Sequence, residues 1–135
     1  MLREEFKFAT LETALEHDDI VVFDFGNLFE VNLPIAKEIV SYRHEFTQGK
    51  PHYVIFETSG IKVVSVEAKK YLQTENSALK NILAAAFVAS NPVSALIANI
   101  FIRTPTDFKS RFFPSRYDAL TWLKGLKESK KLNVK

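Results

Sequence analysis

The longest uncharged segment of the chain runs from Asn81 to Ile102 and reads NILAAAFVASNPVSALIANIFI. It is about as long as a membrane-spanning helix, which needs roughly 20 apolar residues. However, Asn91 and Pro92 lie near its middle, and lipid offers no partner for the polar groups of such a pair or for the missing N–H. Asn91 instead suits the N-cap of a helix, and Pro92 suits its first turn. The pair therefore predicts a break between two buried elements and no transmembrane segment.

The two halves of this segment have different patterns. Residues Ile82 to Ala89 form a continuous apolar run, which is typical of a strand buried on both faces of a parallel sheet. Residues Pro92 to Arg103 have the three- and four-residue spacing of a helix. Its apolar positions are Val93, Leu96, Ile97, Ile100 and Phe101, extended by Ala95, Ala98 and Ile102. A helix that is apolar on nearly all sides is either deeply buried or covered by a ligand or a partner.

The length and composition of the chain indicate one globular domain. It has 135 residues, of which 47% are hydrophobic and 25% are charged. We expect a single domain over residues 1–128 and a Lys-rich tail over residues 129–135. The net charge of +2 is too small to predict binding to nucleic acid. The chain has no Cys, which excludes disulfides, and its N-terminus lacks the apolar core of a signal peptide, so we expect a cytoplasmic protein.

The N-terminal part of the chain predicts two strands followed by a helix. Phe6 to His17 and Ile20 to Phe25 are the strands, and the HDD sequence between them is the predicted hairpin turn. Asn32 is positioned to cap a helix over residues 33–47, with Pro34 in its first turn. The predicted buried face of this helix is Ile35, Ile39, Tyr42 and Phe46, and the predicted solvent face is Lys37, Glu38 and Glu45.

The rest of the chain alternates strands with helices. Tyr53 to Glu57 is a third strand, and Ser65 caps a short helix, VEAKKYL, whose buried side chains are Ala68, Tyr71 and Leu72. Lys109 to Phe113 is the last strand, and Ser115 with Asp118 opens a final helix that is buried through Ala119, Trp122, Leu123 and Leu126. This order predicts an α/β fold with a small mixed sheet of about five strands. An N-terminal antiparallel hairpin precedes the parallel strands, and about four helices pack on the sheet.

Four local sequences resemble the STAS family, the domain of bacterial anti-sigma-factor antagonists, and in particular its SpoIIAA-like (STAS/SEC14-type) branch. They are LPIAKEIVSYRHEF, VSVEAKKYL, ASNPVSALIANIFI and ALTWLKGL, and they span nearly the whole chain. The resemblance implies a SpoIIAA-like fold and a regulatory module that binds other proteins.

The same resemblance implies that the usual phosphorylation site is missing. The antagonists accept a phosphate on a Ser or Thr at the start of the helix after the third strand. Val66 matches that position, and Ser65 stands where the family has Asp. We therefore interpret Ser65 as a helix cap, and Glu67 in the first turn would repel an added phosphate.

No residue pattern indicates a catalytic or cofactor site. His17, His44 and His52 lack the spacing of metal ligands, the four glycines are too far apart for a phosphate-binding loop, and no Ser stands in a nucleophile elbow. We therefore predict no catalytic residue, no metal and no cofactor. An enzyme that acts through Asp24 or Glu57 is a third-ranked alternative.

Two further segments have a functional and a structural interpretation. Residues 57–60, ETSG, end the third strand where ligands gather in α/β sheets, but they are also ordinary turn residues. Four basic residues surround three Phe near the last strand, a mixture that can bind nucleic acid. They are Arg103, Lys109, Arg111 and Arg116, with Phe108, Phe112 and Phe113. We interpret these Phe as core residues and the cations as their solvated neighbours.

The helix that begins at Pro92 is the strongest candidate for function, because a domain this small cannot easily cover both faces of a helix. We predict a non-enzymatic STAS-like module that acts through a protein partner or through self-association. The predicted binding residues are Ser59, Gly60, Ser65, Val93, Ile97, Ile100 and Phe101. The alternative is a carrier or sensor of a small hydrophobic ligand, such as a lipid or fatty acid, held between this helix and the sheet.

Overall fold

A computed structural model describes residues 2–132, with the side chains of residues 2–130. The strands are β1 (Arg3–Glu5), β2 (Thr10–Ala14), β3 (His17–Asp24), β4 (Glu30–Val31), β5 (His52–Glu57), β6 (Val63–Val64), β7 (Ile82–Val88) and β8 (Lys109–Phe113). The helices are α1 (Leu33–Thr47), α2 (Val66–Thr74), α3 (Asn76–Leu79), α4 (Pro92–Ile102) and α5 (Arg116–Leu132).

The main sheet has six strands in the order β1-β2-β3-β5-β7-β8. The first three strands pair antiparallel, and β3, β5, β7 and β8 pair parallel. This arrangement confirms the predicted mixed α/β sheet, with one strand more than expected. The short strands β4 and β6 form a separate parallel pair.

The predicted first strand, Phe6 to His17, is wrong in its extent. Within it only Thr10–Ala14 forms β2, and residues 6–9 form a turn after β1 in which the Phe6 N–H donates to the Ala9 carbonyl at 2.8 Å. The Phe6 ring stacks on Tyr42 of α1 with 4.4 Å between ring centroids. Because this ring leaves the strand to pack on a helix, the chain turns there, and residues 3–5 become an additional edge strand.

The predicted hairpin turn at HDD is also wrong. The turn is the two-residue loop Leu15–Glu16, since Ala14 pairs with His17, and Glu16 takes a left-handed φ of 66°. Residues 17–19 instead begin β3. The Asp19 carboxylate accepts a hydrogen bond from Lys127 of α5 at 2.7 Å. An ion pair therefore joins Asp19 of β3 to helix α5.

Two apolar cores lie on opposite faces of the sheet. Side chains alternate along β3, so Val21 and Phe23 face one core, and Ile20 and Val22 face the other. The first core lies under α1, α2 and α4, and the second lies under α5. The predicted inner faces of α1, α2 and α5 all belong to these cores.

The break predicted at Asn91–Pro92 is confirmed. Strand β7 ends at Val88, α4 begins at Pro92, and the Asn91 Oδ1 accepts a hydrogen bond from the Ser94 N–H at 2.9 Å. No helix within residues 2–132 combines the length and the apolarity needed to cross a membrane. Helix α5 extends to Leu132 and so includes the start of the predicted tail, whose last three residues lie outside the described part of the chain.

Candidate binding site

The loop after β5 and the start of α4 are joined by a polar network centred on Ser59. The Ser59 carbonyl accepts three hydrogen bonds, from Asn91 Nδ2 at 2.7 Å, Lys62 Nζ at 3.0 Å and Ser94 Oγ at 3.1 Å. The fully buried Ser94 hydroxyl also lies 2.6 Å from the Ile61 carbonyl. The structure therefore brings the predicted residue Ser59 to α4, but these contacts fasten the helix to the loop.

Gly60 is packed against the backbone of the neighbouring loop. A Cβ atom on Gly60 would lie 2.6 Å from the Gly26 carbonyl oxygen and 3.2 Å from the Leu28 carbonyl oxygen. Both contacts are shorter than van der Waals separation and involve backbone atoms, which cannot rotate away. Gly60 is thus required for the close approach of two loops.

Replacing Gly60 with alanine is expected to lower the free energy of unfolding by about 2 kcal/mol, because one of the two loops must move. Gly125→Ala is the matched control. Gly125 lies in α5, and a Cβ there meets nothing within 4 Å, so we expect this variant to be up to about 1 kcal/mol more stable than the wild type. Urea denaturation of both variants measures the effects. Equal stabilities would contradict the close packing at Gly60.

Ser65 is the N-cap of α2. Its Oγ accepts a hydrogen bond from the Ala68 N–H at 3.1 Å, so the side chain satisfies an N–H group that the helix leaves unpaired. The next residue, Val66, is 72% exposed. The position that resembles the phosphoacceptor is therefore an exposed apolar side chain at the start of α2.

The structure divides the predicted residues of α4 between two faces. Val93, Leu96 and Ile100 are exposed, at relative accessibilities of 46%, 68% and 41%, and together we call them the outer stripe. Ile97 and Phe101 face the sheet instead and line a cavity. One predicted site thus becomes two, an exposed apolar surface and an internal space, with the same helix between them.

The cavity lies between the sheet and the helices α2 and α4 and has a volume of about 120 Å³. Its lining residues are Phe25, Val31, Ile39, Phe56, Thr58, Ile61, Val64, Leu72, Gln73, Ala78, Leu79, Ile82, Ala85, Phe87, Ile97, Ala98, Phe101, Thr104, Thr106, Phe108 and Ser110. None of them is charged.

Small side chains produce this space. Ala85 lies at the centre of β7, and Ala98 and Ala78 line the cavity from α4 and α3. All three are buried, and a larger apolar side chain at any of them would occupy part of the volume. The sequence showed the alanines of β7 but not that one of them would face a cavity.

One polar contact joins α2 to the segment after α4 at the cavity. The Gln73 side chain donates from Nε2 to Thr104 Oγ1 at 2.9 Å, and both residues line the cavity. The Thr106 hydroxyl is engaged with the Phe108 carbonyl at 2.7 Å. Among the described residues the Gln73 side chain makes no other hydrogen bond, so its Oε1 is available as an acceptor.

A buried polar cluster supports one wall of the cavity. Arg43 of α1 is 2% exposed and donates to the carbonyls of Ser77, Ala78 and Lys80 at 3.0 to 3.3 Å. No carboxylate within residues 2–130 forms an ion pair with it. Burial lowers the pKa of Arg43 to about 10, so the side chain is still charged at neutral pH. A buried cation therefore holds α3 through the backbone dipoles at the end of that helix.

His52 is the other member of this cluster. Its Nδ1 lies 2.8 Å from the Lys50 carbonyl, which can only accept, so Nδ1 carries the proton. The Nε2 atom then accepts from Arg43 Nη1 at 3.2 Å. Burial, and secondarily the positive charge of Arg43, lowers the pKa of His52 from 6.5 to about 4. His52 is therefore neutral at physiological pH.

This cluster was not predicted from the sequence, although one signal for it exists. Arg43 continues the series Ala36 and Val40 at helical spacing, and both of those residues are buried. The three histidines were considered only as metal ligands. Within residues 2–130 no three His, Asp or Glu side chains lie close enough to hold a metal ion.

The carboxylates of the enzyme alternative have structural partners. Asp24 accepts from the Gly26 N–H at 2.8 Å and pairs with Arg116 at 3.2 Å. Glu57, which is adjacent to Asp24 across β3 and β5, accepts from the Ser59 hydroxyl at 2.8 Å. Asp24 is thus held by a loop N–H group and an ion pair, and Glu57 is held by a loop hydroxyl group.

Comparison with known proteins identifies a family and a fold. A family model described as a domain of unknown function (DUF7793) matches residues 13–127. A crystal structure of an uncharacterized protein from the DUF3478 family of Shewanella loihica PV-4, with a SpoIIAA-like fold, is similar with a TM-score of 0.64. The two chains are 15% identical, and the match covers 85% of this chain and 91% of that one. No curated protein matches. The structural match confirms the SpoIIAA-like fold that the sequence resemblance implied.

Proposed function

Since the chain belongs to the DUF7793 family, a domain of unknown function, we propose from its geometry that it is a non-catalytic SpoIIAA-like interaction module that pairs with a second copy of itself. The observation that carries this proposal is the outer stripe of α4. Val93, Leu96 and Ile100 expose apolar surface along one side of a helix that has no charged residue. Contiguous exposed apolar surface marks protein contacts.

The absence of charge on α4 favours a second copy as the partner. In a two-fold symmetric dimer the same surface meets itself, so any charge near the axis faces a like charge. The residues from Pro92 to Ile102 present no such charge. Two outer stripes can therefore pack together without repulsion between charges on α4 itself, and burial of their side chains supplies the driving force.

We propose that the start of α2 also takes part in protein contact. Val66 is exposed there, and Val63 of β6 is 41% exposed. Lys62, the residue before Val63, approaches Ser94 in the first turn of α4, with 3.4 Å between Nζ and Oγ. Val66 stands at the position that resembles the family's phosphorylation site. We therefore propose an interaction that is constitutive and has no phosphate switch.

Replacing Leu96 with glutamate is expected to weaken the dimer by about a hundredfold, because each copy would bring a carboxylate into the contact. Leu15→Glu is the matched control. Leu15 is 71% exposed, close to the 68% of Leu96, and lies in the β2–β3 turn. Sedimentation equilibrium of the wild type and both variants, over a wide range of concentrations, measures the association.

Sedimentation distinguishes three outcomes for the proposed dimer. A dimer that is lost in Leu96→Glu and retained in Leu15→Glu supports the proposal. A wild type that stays monomeric at every concentration contradicts self-association. A dimer that resists Leu96→Glu places the contact elsewhere. Circular dichroism of each variant establishes that it is folded.

A second candidate function, the carrier or sensor of a small hydrophobic ligand, is favoured by the cavity behind α4. It depends on Ile97 and Phe101, on the inner side of the helix, and not on the outer stripe. The two candidates therefore use different residues. The cytoplasmic location expected from the sequence applies to both as a prediction.

A further inference from the structure

We propose that the cavity between the sheet and α4 binds a small neutral molecule with a single aromatic ring. The volume of about 120 Å³ is close to that of engineered apolar cavities that take up benzene, at roughly 150 Å³. A whole long-chain fatty acid is too large for it, since pockets for larger ligands begin at about 300 Å³.

The walls of the cavity select for an aromatic ring. Four Phe form a row across it, Phe25, Phe56, Phe87 and Phe101, with successive centroids 6.3, 5.2 and 6.3 Å apart. Each ring offers a π face or an edge, which favours another ring in a stacked or edge-to-face arrangement. Phe101 is the end of this row, and it is the ring that α4 contributes to the cavity wall.

The lining also selects for a neutral ligand with one polar end. No charged side chain lines the cavity, so a carboxylate or ammonium group inside it would be desolvated without a partner. Five polar residues line the cavity, and at one side Gln73 and Thr104 are joined by a hydrogen bond. The Oε1 of Gln73 can accept a hydrogen bond from a hydroxyl group. These features fit a phenol-like molecule better than a plain hydrocarbon.

NMR titrations of the ¹⁵N-labelled protein with phenol, benzene, 1-octanol and octanoate test the proposal. We expect saturable shifts at the amides of Ala85, Ile97 and Ala98 with phenol and benzene, and phenol should bind about fivefold more tightly because of its hydrogen bond to Gln73. Octanoate should not bind, because its charge has no partner in the cavity. Tighter binding of 1-octanol than of phenol would overturn the aromatic assignment.

Variants connect any binding to the cavity. Ala85→Leu should fill the space and weaken phenol binding at least about tenfold, and Ala98→Leu is the second variant should the first fail to fold. Gln73→Leu should remove the preference for phenol over benzene and leave benzene binding unchanged. No saturable shift with any probe, or equal phenol binding by the wild type and a folded cavity-filling variant, would overturn the proposal.

The Leu96→Glu variant separates this inference from the proposed dimer. Leu96 is on the exposed side of α4 and does not line the cavity. It should therefore retain phenol binding at the wild-type affinity even as a monomer. Loss of phenol binding in folded, monomeric Leu96→Glu would contradict a site that is complete within one chain.

Discussion

Replacing Arg43 with methionine is expected to lower the free energy of unfolding by about 4 kcal/mol. The aliphatic stem of the side chain is retained, but the carbonyls of Ala78 and Lys80 lose their side-chain donor, and that of Ser77 keeps only His44. Buried acceptors without partners are costly because water cannot reach them. Urea denaturation followed by circular dichroism measures the change.

The control for this prediction is Arg3→Met. Arg3 is exposed and pairs only with the exposed Glu5 at 3.4 Å, so its loss should cost less than about 1 kcal/mol. Because Arg43 anchors α3, hydrogen exchange in this helix should accelerate in Arg43→Met and not in the control. Ala78 and Leu79 of the same helix also line the cavity. Similar stabilities of the two variants would show that α3 is held by other contacts.

The fold could be predicted because its main elements carry strong local signals. The continuous apolar run of β7, the helical spacing of α1 and the Asn–Pro pair before α4 each determine one type of element. The predicted range of α1, residues 33–47, agrees with the structure. Where the local signal was weak, as in the two-residue strands β4 and β6, the sequence analysis placed nothing.

The division of α4 into two faces could not be predicted in the same way. Apolar residues surround this helix, so its sequence does not tell which side meets the sheet. The fully buried Ser94 fixes the orientation, and its partners are carbonyls of a loop more than thirty residues earlier. Long-range contacts of this kind leave no periodic signal in the sequence.

The burial of Arg43 was hidden for a related reason. A charged residue on a helix is usually exposed, so the helical spacing from Ala36 and Val40 to Arg43 does not by itself indicate that Arg43 is buried. Two of its three carbonyl partners belong to α3, a helix of four residues that the sequence did not predict, and the third is Lys80 at the end of that helix. The charge is tolerated in the interior only because that short helix supplies acceptors.

Stability is expected to fall by about 3 kcal/mol as the pH decreases from above 6.5 to 4, owing to His52 alone. The pKa of His52 is lowered from 6.5 to about 4 in the folded protein, mainly by burial. The unfolded chain therefore binds a proton below pH 6.5 that the folded protein does not bind until pH 4. The stabilisation is complete above pH 6.5, is lost progressively through this window and changes no further below it. Urea denaturation at a series of pH values measures the slope.

The variant His52→Gln isolates this contribution from the carboxylates that also titrate in acid. Glutamine cannot become charged and can still accept from Arg43, so its stability should depend less on pH between 6.5 and 4 than that of the wild type. His17→Gln is the control, since His17 contacts Lys127 and not Arg43. Because the protonated His52 would face the buried Arg43 cation with no carboxylate between them, acid should open the α3 wall first. Parallel pH profiles for the wild type and His52→Gln would contradict a neutral, buried His52.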